Sequence, residues 1–213
     1  MKAAPTLARR PSLPHPLVLY ARSRALPGAL AALVVLAAFC AWASDWLRPT
    51  AQVDPGAGVP VLLLGSLLAS GIIGTGLHTH TDALDRTAVA PWWRRRLMHL
   101  AGLSALAAGL LACTVLGHPD QFGPSAMIRN VLGATGLAAA GATLLGARLS
   151  WLPMTAYASA VGLAAPRCPG GWAAVWAWPV QPGSEAGAWA TALAVFAVGG
   201  ALYVGRGARS DRA

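Results

Sequence analysis

Charge is the scarcest commodity in this sequence. Only 11% of its 213 residues are Asp, Glu, Lys or Arg, less than half of the roughly 25% found in soluble domains. So little charge cannot clothe a water-facing surface, which sets aside an ordinary soluble domain. Lysine is rarer still, with Lys2 alone. A P-loop needs Gly-Lys-Ser/Thr to hold nucleotide phosphates, so the chain cannot hydrolyse ATP through that motif. The acids are Asp45, Asp54, Asp82, Asp85, Asp120, Glu185 and Asp211, and each lies at the edge of an apolar run or outside the runs. A carrier driven by protons or sodium requires an ionisable group inside the membrane, and no acid is placed to serve as one. Cys40, Cys113 and Cys168 are few and scattered, which excludes a disulfide framework and a zinc knuckle. Neither H-E-x-x-H nor G-x-S-x-G occurs, so the common zinc-hydrolase and nucleophile-elbow motifs are absent.

What the sequence does have is apolar, 56% of it, gathered into six runs at 29–46, 59–77, 97–116, 130–147, 151–165 and 186–204. Crossing ~30 Å of hydrocarbon takes about 20 helical residues at 1.5 Å each. The runs therefore predict an all-α, polytopic membrane helix bundle of about six transmembrane helices. The fifth run is the shortest. Pro49, Pro55, Gly56 and Pro60 punctuate the first outer loop, and Pro119, Gly123 and Pro124 the second, as turn chemistry requires. The organisation expected is a basic cytoplasmic segment at 1–28, a membrane domain at 29–205 and a cytoplasmic tail at 206–213. A cleaved signal peptide, with Ala41-Trp42-Ala43 as the processing site, is the alternative for the N-terminal part. The first run is long enough to span, which favours retention.

The net charge of +9 raises the question of nucleic acid. The arginines sit between apolar runs and never line one face, so no nucleic-acid partner is expected. Topology accounts for them instead, because cytoplasmic loops are enriched in Arg and Lys. With both termini inside, the inner segments hold Lys2, Arg9, Arg10, Arg22, Arg24, Arg86, Arg94, Arg95, Arg96, Arg148, Arg206, Arg209 and Arg212. Only Arg48, Arg129 and Arg167 remain outside. Removing any one span would reverse the sign of everything after it.

The stretch after the second run concentrates polar chemistry: His78-Thr79-His80-Thr81-Asp82-Ala83-Leu84-Asp85-Arg86, then Pro91-Trp92-Trp93-Arg94-Arg95-Arg96. Asp82 can cap a short helix and Asp85 suits its positive end. Its exposed charges fit a cytoplasmic protein partner. His78, His80 and Asp82 are alternative metal ligands, although residues two apart converge only in extended chain. Between the last two runs, Trp172, Trp176 and Trp178 stand among Gly and Pro. Indole rings favour the headgroup zone, so a loop or short helices in the outer interface is expected, with an ordinary aromatic belt as the plainer reading. Small residues at helix-packing spacing, Ser66-Ser70-Gly74, Gly136-Ala140 and Ala142-Gly146, suit close backbone approach within the bundle or against a second subunit.

This layout resembles the permease subunits of ABC-2-type exporters, particularly the short actinobacterial ones. The matching pieces are residues 17–24 as an interfacial elbow, Asp82, Asp85 and Arg86 through Arg94, Arg95 and Arg96 as a coupling loop, and the Trp-rich segment 170–178. The resemblance implies a multi-pass protein of the cell membrane without enzymatic activity of its own. It also implies a partner ATP-binding cassette subunit that binds ATP and Mg²⁺, and a second permease subunit, identical or homologous, completing the path. Leu17-Val18-Leu19 departs from it, being too continuously apolar for an amphipathic elbow. Two other functions are open at this stage: a non-transporting scaffold or regulator that anchors a cytoplasmic partner through Arg94, Arg95, Arg96 and the basic N-terminal segment, and a membrane metalloenzyme using His78, His80 and Asp82. If the arginines report topology, a reporter fused after Val204 will be active only when it is one that works in the cytoplasm. Activity of an exported reporter at that position would break the six-span count.

Overall fold

The computed structural model describes residues 26–53, 58–77, 92–116, 123–164 and 170–209. Its regular elements are all helical: α1 (Leu26–Val53), α2 (Val59–Gly76), α3 (Trp92–Thr114), α4 (Pro124–Leu144), α5 (Leu152–Ala164), the single turn α6 (Ala173–Trp176) and α7 (Ala186–Arg206). Two 3-10 turns, Ala147–Leu149 and Trp178–Val180, punctuate them. Among the described residues there is no strand. Proline opens α2 and α4, where its missing N–H costs nothing. Glu185 precedes α7 and Arg206 lies in its last turn, each complementing the helix dipole.

Among the described residues, four helices are long and apolar enough to cross a membrane: Leu26–Leu47, Val59–Gly76, Trp92–Thr114 and Ala186–Arg206. This makes the chain a membrane protein by the length and apolarity of its helices. The fourth and fifth runs of the sequence differ from expectation. Helix α4 matches the others in length with 21 residues, but it begins earlier than the apolar run and takes Arg129 into the helix. Its Gly-rich and Ala-rich sequence is less apolar because it meets protein on most sides: α2, α3, α5 and α7 all pack against it. Helix α5 has 13 residues, about 20 Å of rise, which is short of the hydrocarbon thickness. Helix α3 also starts earlier, so that Arg94, Arg95 and Arg96 are helical and not part of a loop. Arginine is a good helix former, and a helix is free to continue past the apolar layer.

Side-chain contacts order the two ends of the bundle. Tyr203 Oη in α7 donates to the carbonyl of Leu77 after α2, at 3.2 Å. The Arg209 amide donates to Ala142 O of α4 at 2.9 Å. The Arg96 guanidinium at the start of α3 lies against Gly207. The C-terminal ends of α2, α4 and α7 thus share one end with the start of α3, and Arg94, Arg95, Arg96, Arg148, Arg206 and Arg209 collect there. Arg129 and the segment 170–185 occupy the other end.

The largest interface joins α4 to α7, and it is made by the absence of side chains. A Cβ on Gly199 would lie 2.0 Å from Gly136 O, and one on Gly136 would lie 2.6 Å from the Phe196 Cα. The two backbones touch. The face Ser66, Ser70 and Gly74 of α2 is buried, with Gly74 packed on Ser150 and Ala138. Around these contacts runs a core that includes Leu33, Leu62, Ile73, Leu100, Leu111 and Met127. Gly199→Ala is therefore expected to lose about 1–3 kcal/mol, because the obstructing atoms are backbone and cannot rotate away. Gly200→Ala, whose Cβ would meet only Leu100 Cδ2 at 3.4 Å, will be close to neutral. Thermal unfolding of both variants in one detergent reads the contrast.

Candidate functional site

The first turns of α4 carry Arg129 and Asn130, adjacent in sequence and both fully buried. A guanidinium cannot shed its charge, so burying one demands acceptors arranged around it. Asn130 Oδ1 accepts from Arg129 Nε at 3.2 Å and from Nη2 at 3.1 Å. Nη2 also donates to Gln181 O, and Nη1 to Pro182 O, each at 2.7 Å. Asn130 Nδ2 donates to Pro179 O at 2.7 Å. Two neighbouring side chains therefore bind three carbonyls of one short segment. Glu185, at the head of α7, acts on the arginine through space.

The rest of that segment is held the same way. Tyr157 Oη in α5 donates to Trp176 O. Trp189 Nε1 in α7 donates to Gly183 O at 2.9 Å. Gln181, itself buried, accepts from the Gly170 amide at 2.9 Å. Irregular backbone is tolerated at membrane depth only where protein supplies its hydrogen-bond partners. Here α4, α5 and α7 each supply one or more. The segment 170–185 folds inward over the short α5. Trp178 leads it, 2% exposed, with its ring against Gly133, where a Cβ would come within 2.3 Å. The Tyr157 ring stacks on it at 6.1 Å between centroids, and Ala188 and Ala192 of α7 close the pocket around it.

The residues singled out from sequence have varied fates. His78, His80, Asp82, Asp85 and Arg86 lie outside the described residues, as does the segment 17–24. Among the described residues no three His, Cys, Asp or Glu side chains come together. Arg94 and Arg95 are exposed. Arg96 is only 4% exposed, with its guanidinium 4.4 Å from the Trp92 ring centroid and its edge on Gly207, so it locks α3 to the end of α7. The three tryptophans separate: Trp172 is 76% exposed, Trp176 is half-buried, and Trp178 is a core residue and not an interfacial one. Arg129 is likewise a buried helical residue and not a loop cation.

Sequence reasoning missed Arg129, Asn130, Gln181 and Tyr157. The signal available was an Arg-Asn pair directly against an apolar run, where a cation is costly unless it is used. Comparison of the chain with protein-family models, curated proteins and solved structures gives no match. The site has the geometry of an anchor: a charge buried to hold a loop. Arg129→Met should strand the carbonyls of Gln181 and Pro182 at about 1–3 kcal/mol each. It should lower the melting temperature in detergent and open residues 170–185 to protease. Trp172→Ala, on the exposed side of the same loop, should change neither.

Proposed function

We propose that this chain is the permease subunit of an ATP-driven, ABC-type exporter, embedded in the cell membrane and powered by a separate ATPase polypeptide. In this reading the chain crosses six times with both termini in the cytoplasm. Helix α4 makes the fourth crossing, and α5 completes the fifth with the help of the segment folded in above it. The arginine-bearing end faces the cytoplasm. The observation that carries the proposal is the placement of Arg94 and Arg95, exposed on the first turns of α3, directly after the polar stretch 78–91. A push on that stretch by the motor would reach the start of α3, and Arg96 on Gly207 would pass it to α7. Two such permeases would form the path between them. ATP and Mg²⁺ belong to the partner. The lack of a P-loop lysine, and of an acid in the middle of any apolar run, supports an external energy source.

A non-transporting scaffold is the second reading. The inward-folded segment, with carbonyls held by Arg129, Asn130, Tyr157 and Trp189, favours it, since a fixed far end suits a platform. Purification in a gentle detergent separates the two. An exporter subunit should retain an ATPase, whose turnover rises in the complex. Asp82→Lys with Asp85→Lys, and independently Arg94→Glu with Arg95→Glu, should each weaken that association at least about tenfold, a loss of about 1.4 kcal/mol or more. Capture of a partner without stimulated turnover supports the scaffold. Purification alone, unaffected by either pair, would end the transporter reading.

A further inference from the structure

The corner between α4 and α5 combines features that the transport reading does not use. Helix α4 ends at Leu144, and Gly146 turns the chain with φ 98° and ψ 159°, a combination open essentially to glycine alone. The turn Ala147–Leu149 follows, and α5 starts at Leu152. On this one corner Leu144, Leu145, Leu149, Trp151 and Leu152 are all exposed. Five large apolar side chains side by side are unfavourable in water and at home in lipid. In their midst Arg148 is also exposed. Trp151 Nε1 donates to the Arg148 carbonyl at 2.9 Å, which turns the polar edge of the indole toward the peptide of the arginine. An amphipathic ring so tethered marks the boundary between acyl chains and headgroups.

A second cation stands at the same helix end. Arg209 donates its amide to Ala142 O at 2.9 Å and its Nη1 to Leu144 O at 3.2 Å, and it too is exposed. No described carboxylate answers this pair: among the described residues the acids are Asp45, within α1, and Glu185, at the far end of α7. We infer that the α4–α5 corner is a binding site for the headgroup of an anionic phospholipid. Arg148 would take the phosphate, Arg209 would add charge, and the leucines and Trp151 would lie along the acyl chains. A soluble acidic protein fits less well, because exposed side chains that need hydrocarbon flank the cation on both sides in the chain. Arg148, Trp151 and the leucines play no part in the transport reading, so either assignment can fail without the other.

The test uses the purified full chain in detergent, titrated with equal amounts of phosphatidylglycerol and phosphatidylcholine, with retained lipid counted by native mass spectrometry. The wild type should keep phosphatidylglycerol in preference. Arg148→Gln should cut that preference about fivefold, as expected for one cation at a charged membrane surface. Arg148→Lys, which keeps the charge and guards against a folding defect, should restore most of it. Arg95→Gln, which removes a cation from a different corner of the same end, is the reference. Equal losses in Arg148→Gln and Arg95→Gln would mean diffuse attraction of lipid to a cationic protein and would overturn the site. So would equal retention of the two lipids by the wild type.

Discussion

A carbonyl taken out of water keeps its demand for a donor, and in a membrane nothing outside the protein can meet it. Helices answer from within. The segment 170–185 cannot, since it holds Pro179 and Pro182 and is regular only over single turns. Arg129 and Asn130 answer for it, from a helix that packs against α2, α3, α5 and α7. The buried cation and the irregular loop each remove the other's cost: the guanidinium needs acceptors, and the carbonyls of Pro179, Gln181 and Pro182 need donors. The short α5 shares in this exchange, since its Tyr157 supplies the donor for the Trp176 carbonyl.

That arrangement is possible only because α4 offers room. At Gly133 the missing side chain admits the Trp178 ring, and at Gly136 it admits the backbone of α7. Lipid drives helices together weakly, so close van der Waals approach has to supply what water would supply in a soluble core. Helix α1 shows the contrast. It packs on α2 and α3 and turns Val34, Val35, Phe39, Trp42 and Trp46 outward, as a helix bordered by lipid should. Low apolarity in α4 and high apolarity in α1 are thus two consequences of one rule: a side chain matches what it touches.

The end of the bundle that gathers arginine is equally differentiated. Arg96 is consumed in packing, stacked on Trp92 and seated on Gly207. Arg209 caps carbonyls at the end of α4. Arg94, Arg95 and Arg148 stay exposed, on two separate corners with different surroundings. A count of positive charge treats these residues alike, whereas their neighbours give them different work.

The membrane character and the positions of α1, α2, α3 and α7 were legible in the sequence, because hydrocarbon selects helices by length and apolarity and both are local properties of the chain. The packing face Ser66-Ser70-Gly74 was legible for the same reason, since spacing alone places it on one side of a helix. The roles of Arg129, Gln181 and Trp178 were not. Arg129 looked like a loop cation and Trp178 like an interfacial indole, because a residue's own neighbours in sequence say nothing of a carbonyl some fifty positions away. Which charge is buried and which tryptophan is core were decided only when α4, α5 and α7 came together, since a hydrogen bond between distant segments exists only once the fold has closed.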